Sequence, residues 1–169
     1  MTLGDCPFGL LILLTVSATV AFGEPKWGRA QERLQLGIDW HAGSTESESA
    51  LQVSLRNTGA EPRAISVGIE GSEGPIYDVQ ITTVRDQPPG EYLVFDVNAL
   101  KAQPSSLPSM KQVRLGPGAT YVFRYPLKQL ICVVNRRDTP LEDLLKQGYS
   151  VRASFKVSNL ELRTPDFRP

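Results

Sequence analysis

The chain has 169 residues, with 18 Lys and Arg against 18 Asp and Glu, one His, and 41% hydrophobic residues. Balanced charge leaves no field to steer a polyanion or an anionic membrane, so nucleic acid is not an expected partner. A single imidazole removes most His-based hydrolytic and metal centres. Residues 8–22 are almost uninterruptedly apolar or small, with Leu10, Leu11, Ile12, Leu13 and Leu14 in a block, and they end in Ala21-Phe22-Gly23 before Glu24-Pro25-Lys26. This pattern marks 1–23 as a signal peptide, with small residues at the two positions the peptidase requires. The run falls short of the roughly 20 apolar residues of a membrane span. It also contains Ser17 and two Thr. No Lys or Arg precedes it and Asp5 is acidic, so an uncleaved signal anchor is the alternative. Cys6 precedes the apolar core, whereas a lipid-modified cysteine follows it.

Removing 23 residues from 169 leaves 146, one domain's worth, with 18 basic and, once Asp5 is gone, 17 acidic residues. Residues 24–32 read as a polar lead-in, 33–162 as a single domain and 163–169 as a loose C-terminal tail on which Phe167 could dock. Period-two alternation then recurs between turn signals. Leu34, Leu36, Ile38 and Trp40 form one apolar face, and Leu51, Val53 and Leu55 the next, closed by Asn57-Thr58-Gly59. Ile65, Val67 and Ile69 follow. After a break at 71–75 come Tyr77, Val79 and Ile81, then a turn at 86–90 with two prolines. Residues 91–97 are β-branched and aromatic-rich. Residues 98–111, with Pro104 and Pro108, read as a long loop that is mobile or a contact surface.

Val113 and Leu115 lead into the tight turn Gly116-Pro117-Gly118, after which Tyr121, Phe123 and Tyr125 share a face. Residues 127–134 suit a strand, or a short turn of helix entering one. Thr139 as cap, Pro140 at the first helical position and Glu142 three residues after the cap predict a short helix with a capping box, Leu141, Leu144 and Leu145 on one side, ended by Gly148. Val151, Ala153, Phe155 and Val157 make the last expected strand. About eight strands (seven to nine) with one short helix predict an all-β antiparallel β-sandwich.

The candidates for chemistry are few. The mature chain keeps only Cys132, inside Leu130-Ile131-Cys132-Val133-Val134, which reads as a small buried hydrophobe; a nucleophile would need His41, far away in sequence, as its base. Asp39 and His41 fall on one side of a strand, opposite Trp40, and two such groups alone make a poor metal site. Glu46, Glu48, Glu70 and Glu73 lack the regular oxygen ladder of a calcium loop. Nothing nominates the carboxylate pair of a glycosidase. Arg136-Arg137 reads as a solvated loop. No catalytic, cofactor-binding or metal residue is assigned, and no cofactor is expected. Tyr77, Tyr92, Tyr121, Phe123 and Tyr125 are expected to pack rather than to recognise.

The segment LQVSLRNTGAEP at 51–62, Ile76-Tyr77-Asp78-Val79, Leu115-Gly116-Pro117-Gly118 and Tyr149-Ser150-Val151-Arg152-Ala153 loosely resemble bacterial immunoglobulin-like modules, and among them the intracellular proteinase inhibitor-like (BsuPI-like) family of small sandwiches. The resemblance runs over about 34–157 and implies an immunoglobulin-like sandwich. The export signal, the 98–111 loop and the 139–146 helix depart from the pattern, and only scaffold positions match, so no reactive residue is carried over. The expected function is a non-catalytic exported module, secreted or periplasmic and bacterial, that binds protein through a sheet edge or the 98–111 loop or supports an envelope assembly. A protease inhibitor presenting the turns at 86–90 or 104–108 is one alternative; a carbohydrate-active or metal-dependent enzyme is the other.

Overall fold

The computed structural model describes residues 24–43, 49–69, 79–86, 89–97, 110–157 and 159–169. The leader, the start of the Tyr77 run, residues 98–109 of the long loop, and Glu46, Glu48, Glu70 and Glu73 lie outside the described residues. Within them the chain is an all-β antiparallel sandwich with one short helix.

Alternation places the strands. Leu34–His41 (β2) and Ala50–Asn57 (β3) pair along their whole length, Leu36 with Leu55 and Ile38 with Val53, and Thr120–Pro126 (β8) flanks β3 on its other side. The alternate residues Leu34, Leu36, Ile38, Leu51, Val53 and Leu55 are all 0 or 1% exposed. Removing that much apolar surface from water is the main stabilising term for this sheet. The second sheet has six strands, ordered β10-β9-β6-β5-β11-β12. They are Arg137–Pro140, Leu130–Val134, Gly90–Asp96, Val79–Arg85, Ser150–Val157 and Leu160–Arg163. Its inward row contains Cys132, Val94, Ile81 and Ala153 in register. The two sheets meet where Phe123 of β8 and Phe155 of β11 pack with ring centroids 5.9 Å apart. Arg63–Ile69 (β4) and Met110–Leu115 (β7) form a separate pair, with a register shift between Ser66 and Ile69, and bury Ile65, Val67 and Leu115.

The strands beyond those expected are short edge pieces. Lys26–Trp27 (β1) pairs with β2, so the polar lead-in is tied to the first sheet rather than irregular throughout. The Trp27 ring lies over Gly37, where an added Cβ would meet it at 2.6 Å, and the Arg56 guanidinium stacks on that ring at 4.1 Å. An aromatic covering a strand glycine is a known device for pinning an edge. Two turns need left-handed backbone at both central residues: Glu32 and Arg33 (φ 45° and 66°) between Gln31 and Leu34, and Asn135 and Arg136 (φ 50° and 63°) between β9 and β10. This is the two-residue turn whose twist matches that of a hairpin. Arg136 therefore sits in a tight turn and Arg137 opens a strand, rather than both lying in a loop.

The expected last strand is followed by another. After β11 the chain turns into β12, and 163–169 continues along β11 instead of hanging free. Val151 and Phe167 exchange backbone hydrogen bonds of 2.7 and 2.8 Å, and Thr164 Oγ1 accepts from the Ala153 amide at 2.9 Å. Phe167 is 7% exposed, with Lys26 Nζ 5.0 Å from its ring centroid.

The helix forms, as Leu141–Lys146 (α1), but its expected cap does not. Pairing of Thr139 with Cys132 and of Pro140 with Ile131 draws Thr139 into β10, so Pro140 takes the cap position with extended backbone (φ −55°, ψ 139°) and no side chain caps the helix. Glu142 and Asp143 in the first turn still favour the positive end of the helix dipole. The other end is closed as expected. Tyr149 donates its amide to Leu144 at 3.1 Å and Gly148 to Leu145 at 3.0 Å, with Gly148 at φ 87°. This paired closure satisfies carbonyls that would otherwise be orphaned. Leu141 and Leu144 are buried against the sandwich.

Candidate functional site

Among the described residues, the side chains with reactive or metal-ligating atoms are not assembled into a centre. Asp39 is nearly buried, and its Oδ1 accepts the backbone N–H of Trp40 at 2.7 Å. His41 ends the same strand and is half-buried. Among the described residues, no group of three or more His, Cys, Asp and Glu side chains is placed to hold a metal ion.

Cys132 is 0% exposed, in the inward row of the second sheet. Burial pushes its thiol from 9.0 up to about 11, opposed by a hydrogen bond with the Thr83 side chain. A thiol raised this way is a poor nucleophile. The unfolded chain deprotonates first, so this group's contribution to stability is full below about pH 9 and is lost as pH rises toward about 11. Denaturant titrations should therefore show stability falling across that alkaline window, less so in Cys132→Ala. A thiol reagent at neutral pH should label Cys132 only when denaturant opens the fold; prompt labelling of the native chain would contradict this placement.

The aromatics mostly pack. Tyr121 meets Phe123 edge-on at 5.0 Å, and Tyr92 meets Tyr149 at 5.9 Å. Tyr125 is 2% exposed and its hydroxyl has no hydrogen-bond partner among the described residues. Burial, then the charges of Asp96 and Tyr121, hold that phenol well above its ordinary range.

The two outer faces of the sandwich differ. On the first sheet, Gln35, Gln52, Arg56 and Arg124 point outward from β2, β3 and β8, and Trp27 covers Gly37. Arg56 also donates to Gln35 Oε1 at 2.5 Å, and Gln35 Nε2 donates to the Gly28 carbonyl at 2.8 Å. Val122, 48% exposed, is the one exposed large hydrophobic of that face among the described residues. On the second sheet, Leu93 of β6 is 43% exposed and Val133 of β9 is 48% exposed. The register that pairs Val94 with Cys132 and Phe95 with Ile131 faces Leu93 with Val133 when carried one residue further. Phe95 and Ile131, half-exposed, make the next row of the same face, with exposed Pro140 beside Ile131 on β10. Contiguous exposed apolar side chains on one sheet face make this the candidate surface among the described residues.

Sequence reasoning passed over this surface. It gave Cys132 a buried place in the apolar run 130–134 without dividing that run between two faces; Leu130 and Cys132 point inward and Val133 outward. The available signal was phase: Leu93 and Phe95 alternate with Tyr92 and Val94, and both sets are apolar. Of the turns suggested as contact segments, 98–109, 104–108 and part of 86–90 lie outside the described residues. Among the described residues, no helix is long and apolar enough to cross a membrane. No family model matches the chain, and no curated protein or solved structure matches it either.

Proposed function

We propose that this protein is a non-catalytic, exported β-sandwich module that binds a protein partner in an envelope or extracellular assembly. The observation that carries the reading is the exposure of Leu93 and Val133 on the neighbouring strands β6 and β9, each one residue beyond the Val94–Cys132 pair of the inward row. That face has the composition of an interface core, aliphatic and aromatic at its centre with charged residues toward its margins. The outer face of the other sheet is polar and partly covered by Trp27, so the recognition surface is assigned to the second sheet.

The experiment compares capture of partners from an envelope extract by the native chain, by the double variant Leu93→Asp/Val133→Asp, and by Val122→Asp as a surface control. The double variant is expected to lose capture by about tenfold or more while keeping its melting profile, because interface cores tolerate buried charge poorly. Val122→Asp is expected to behave as the native chain. Capture by the double variant at native strength would remove this face from the function.

A further inference from the structure

We propose that the outer face of the six-stranded sheet takes a second copy of this chain as its partner, packed face to face about a two-fold axis running along β6 through Leu93. The proposal rests on the reading of that face as an interface and names its occupant. It is argued from the order of charges across the sheet. The register reads, from one edge inward and out again, Asp138, Val133, Leu93, Thr82, Arg152. All five point outward, because their chain neighbours Thr139, Cys132, Val94, Ile81 and Ala153 form the inward row. Strands lie about 4.8 Å apart, so Asp138 and Arg152 stand at equal arms of about 10 Å on either side of Leu93.

A two-fold axis along β6 exchanges those arms. Leu93 of one copy meets Leu93 of the other, Val133 meets Thr82, and each Asp138 meets the partner's Arg152. In the next row the axis sets Phe95 against Phe95. This is self-complementarity of the kind a two-fold interface requires, apolar on the axis and opposite charges across it. Asp138 is exposed. Arg152 is half-buried, with its Nε donating to Asp166 Oδ1 at 2.7 Å, which leaves the rest of the guanidinium fork for a second carboxylate. Glu91, exposed at the start of β6, would meet its own copy at one end of the face.

The size of the face sets the strength. Five neighbouring strands, four to eight residues long, present roughly 400–550 Å2, or roughly 800–1,100 Å2 for the pair. That lies below the standard range for tight complexes, so the pair is expected to be weak, with Kd roughly 10–100 μM.

Sedimentation of the purified chain from about 1 μM to 1 mM brackets that affinity. The expected result is a monomer–dimer equilibrium that Leu93→Asp abolishes. Asp138→Arg and Arg152→Asp should each weaken it by about tenfold, and the two together should restore it to within about threefold of the native chain. Should Arg152→Asp fail to fold, the native chain supplies a second measure: raising salt from about 0.05 to 0.5 M should weaken the dimer several-fold by screening the two charge pairs. A chain that stays monomeric throughout overturns the proposal, as does a dimer indifferent to Leu93→Asp or a double charge swap that restores nothing. Monomer together with loss of extract capture in Leu93→Asp/Val133→Asp would overturn only the second copy as occupant and leave the face an interface. Capture retained by Leu93→Asp/Val133→Asp, with a native chain that dimerises through Leu93, would keep the second copy as occupant and overturn only the reading that this face captures a different protein.

Discussion

Replacing Asn57 with Asp is expected to cost about 3–5 kcal/mol, a large share of the roughly 5–15 kcal/mol that holds a domain folded. Asn57 is 0% exposed at the end of β3. Its Nδ2 group lies within hydrogen-bond reach of three carbonyl oxygens, of Glu61 at 2.8 Å, Leu115 at 3.1 Å and Gly116 at 3.2 Å. Its Oδ1 accepts the Gly59 amide at 2.9 Å. Its backbone donates to Ala119 at 3.0 Å and accepts from Gly118 at 2.9 Å. One side chain therefore ties the turn after β3 to the turn between β7 and β8. A carboxylate there would turn a buried oxygen toward three carbonyl oxygens and carry an unpaired charge into the interior, where neither is tolerated. Asn57→Ala leaves those groups unsatisfied without adding a charge and is expected to cost about 2–3 kcal/mol. Urea titration of the three proteins checks the order native, Ala, Asp. An Asp variant within about 1 kcal/mol of the native chain would show that Asn57 does not hold the two turns together.

The importance of Asn57 is invisible in its sequence neighbourhood, and the reason is general to this fold. Asn-Thr-Gly reads correctly as the end of a strand, because local turn chemistry is written in adjacent residues. The carbonyls of Leu115 and Gly116 that it holds are far along the chain, and only the folded topology brings them near. The same distinction sorts the rest. Leu51, Val53 and Leu55 were legible because burial on one face imposes period two, and all three are 0% exposed. The Gly148 helix stop was legible because left-handed backbone is a local demand met by glycine. The Thr139 cap was misread because pairing with β9, a tertiary term, outweighed a capping preference worth about 1 kcal/mol. β1 and β12 were missed, and the tail was read as loose with only Phe167 able to dock, because two to four residues carry no measurable period, and their order is supplied by neighbouring strands. The candidate surface needed the same kind of information. Sequence pointed to Cys132, Asp39 and His41 because their atoms are reactive, while Leu93 and Val133 gain meaning only from the pairing of β6 with β9.

Phe155→Ala is the most direct test that the two sheets share one interior. Phe155 is 0% exposed on β11, flanked in register by Val79 and Leu162, and its ring meets Phe123 of the opposite sheet at 5.9 Å and 42°. Removing the ring deletes apolar contact on both sheets and leaves a cavity that hydrogen-bonded strands cannot close by shifting, so the cost is expected at about 3–5 kcal/mol. Phe155→Leu keeps most of the volume and should cost about 1–1.5 kcal/mol. Pairing each change with Phe123→Leu isolates the contact between the rings, expected at about 0.5–1.5 kcal/mol of coupling. Outward positions give the contrast: Val122→Ala, on the exposed face of the strand that carries Phe123, should stay within about 0.5 kcal/mol of the native chain. A Phe155→Ala cost as small as that of Val122→Ala, or a Phe123–Phe155 coupling of zero, would mean that the sheets do not close on a common core. In that case the outer face that exposes Leu93 and Val133 would no longer be held rigid from behind, and the interface argued from its register would lose its footing.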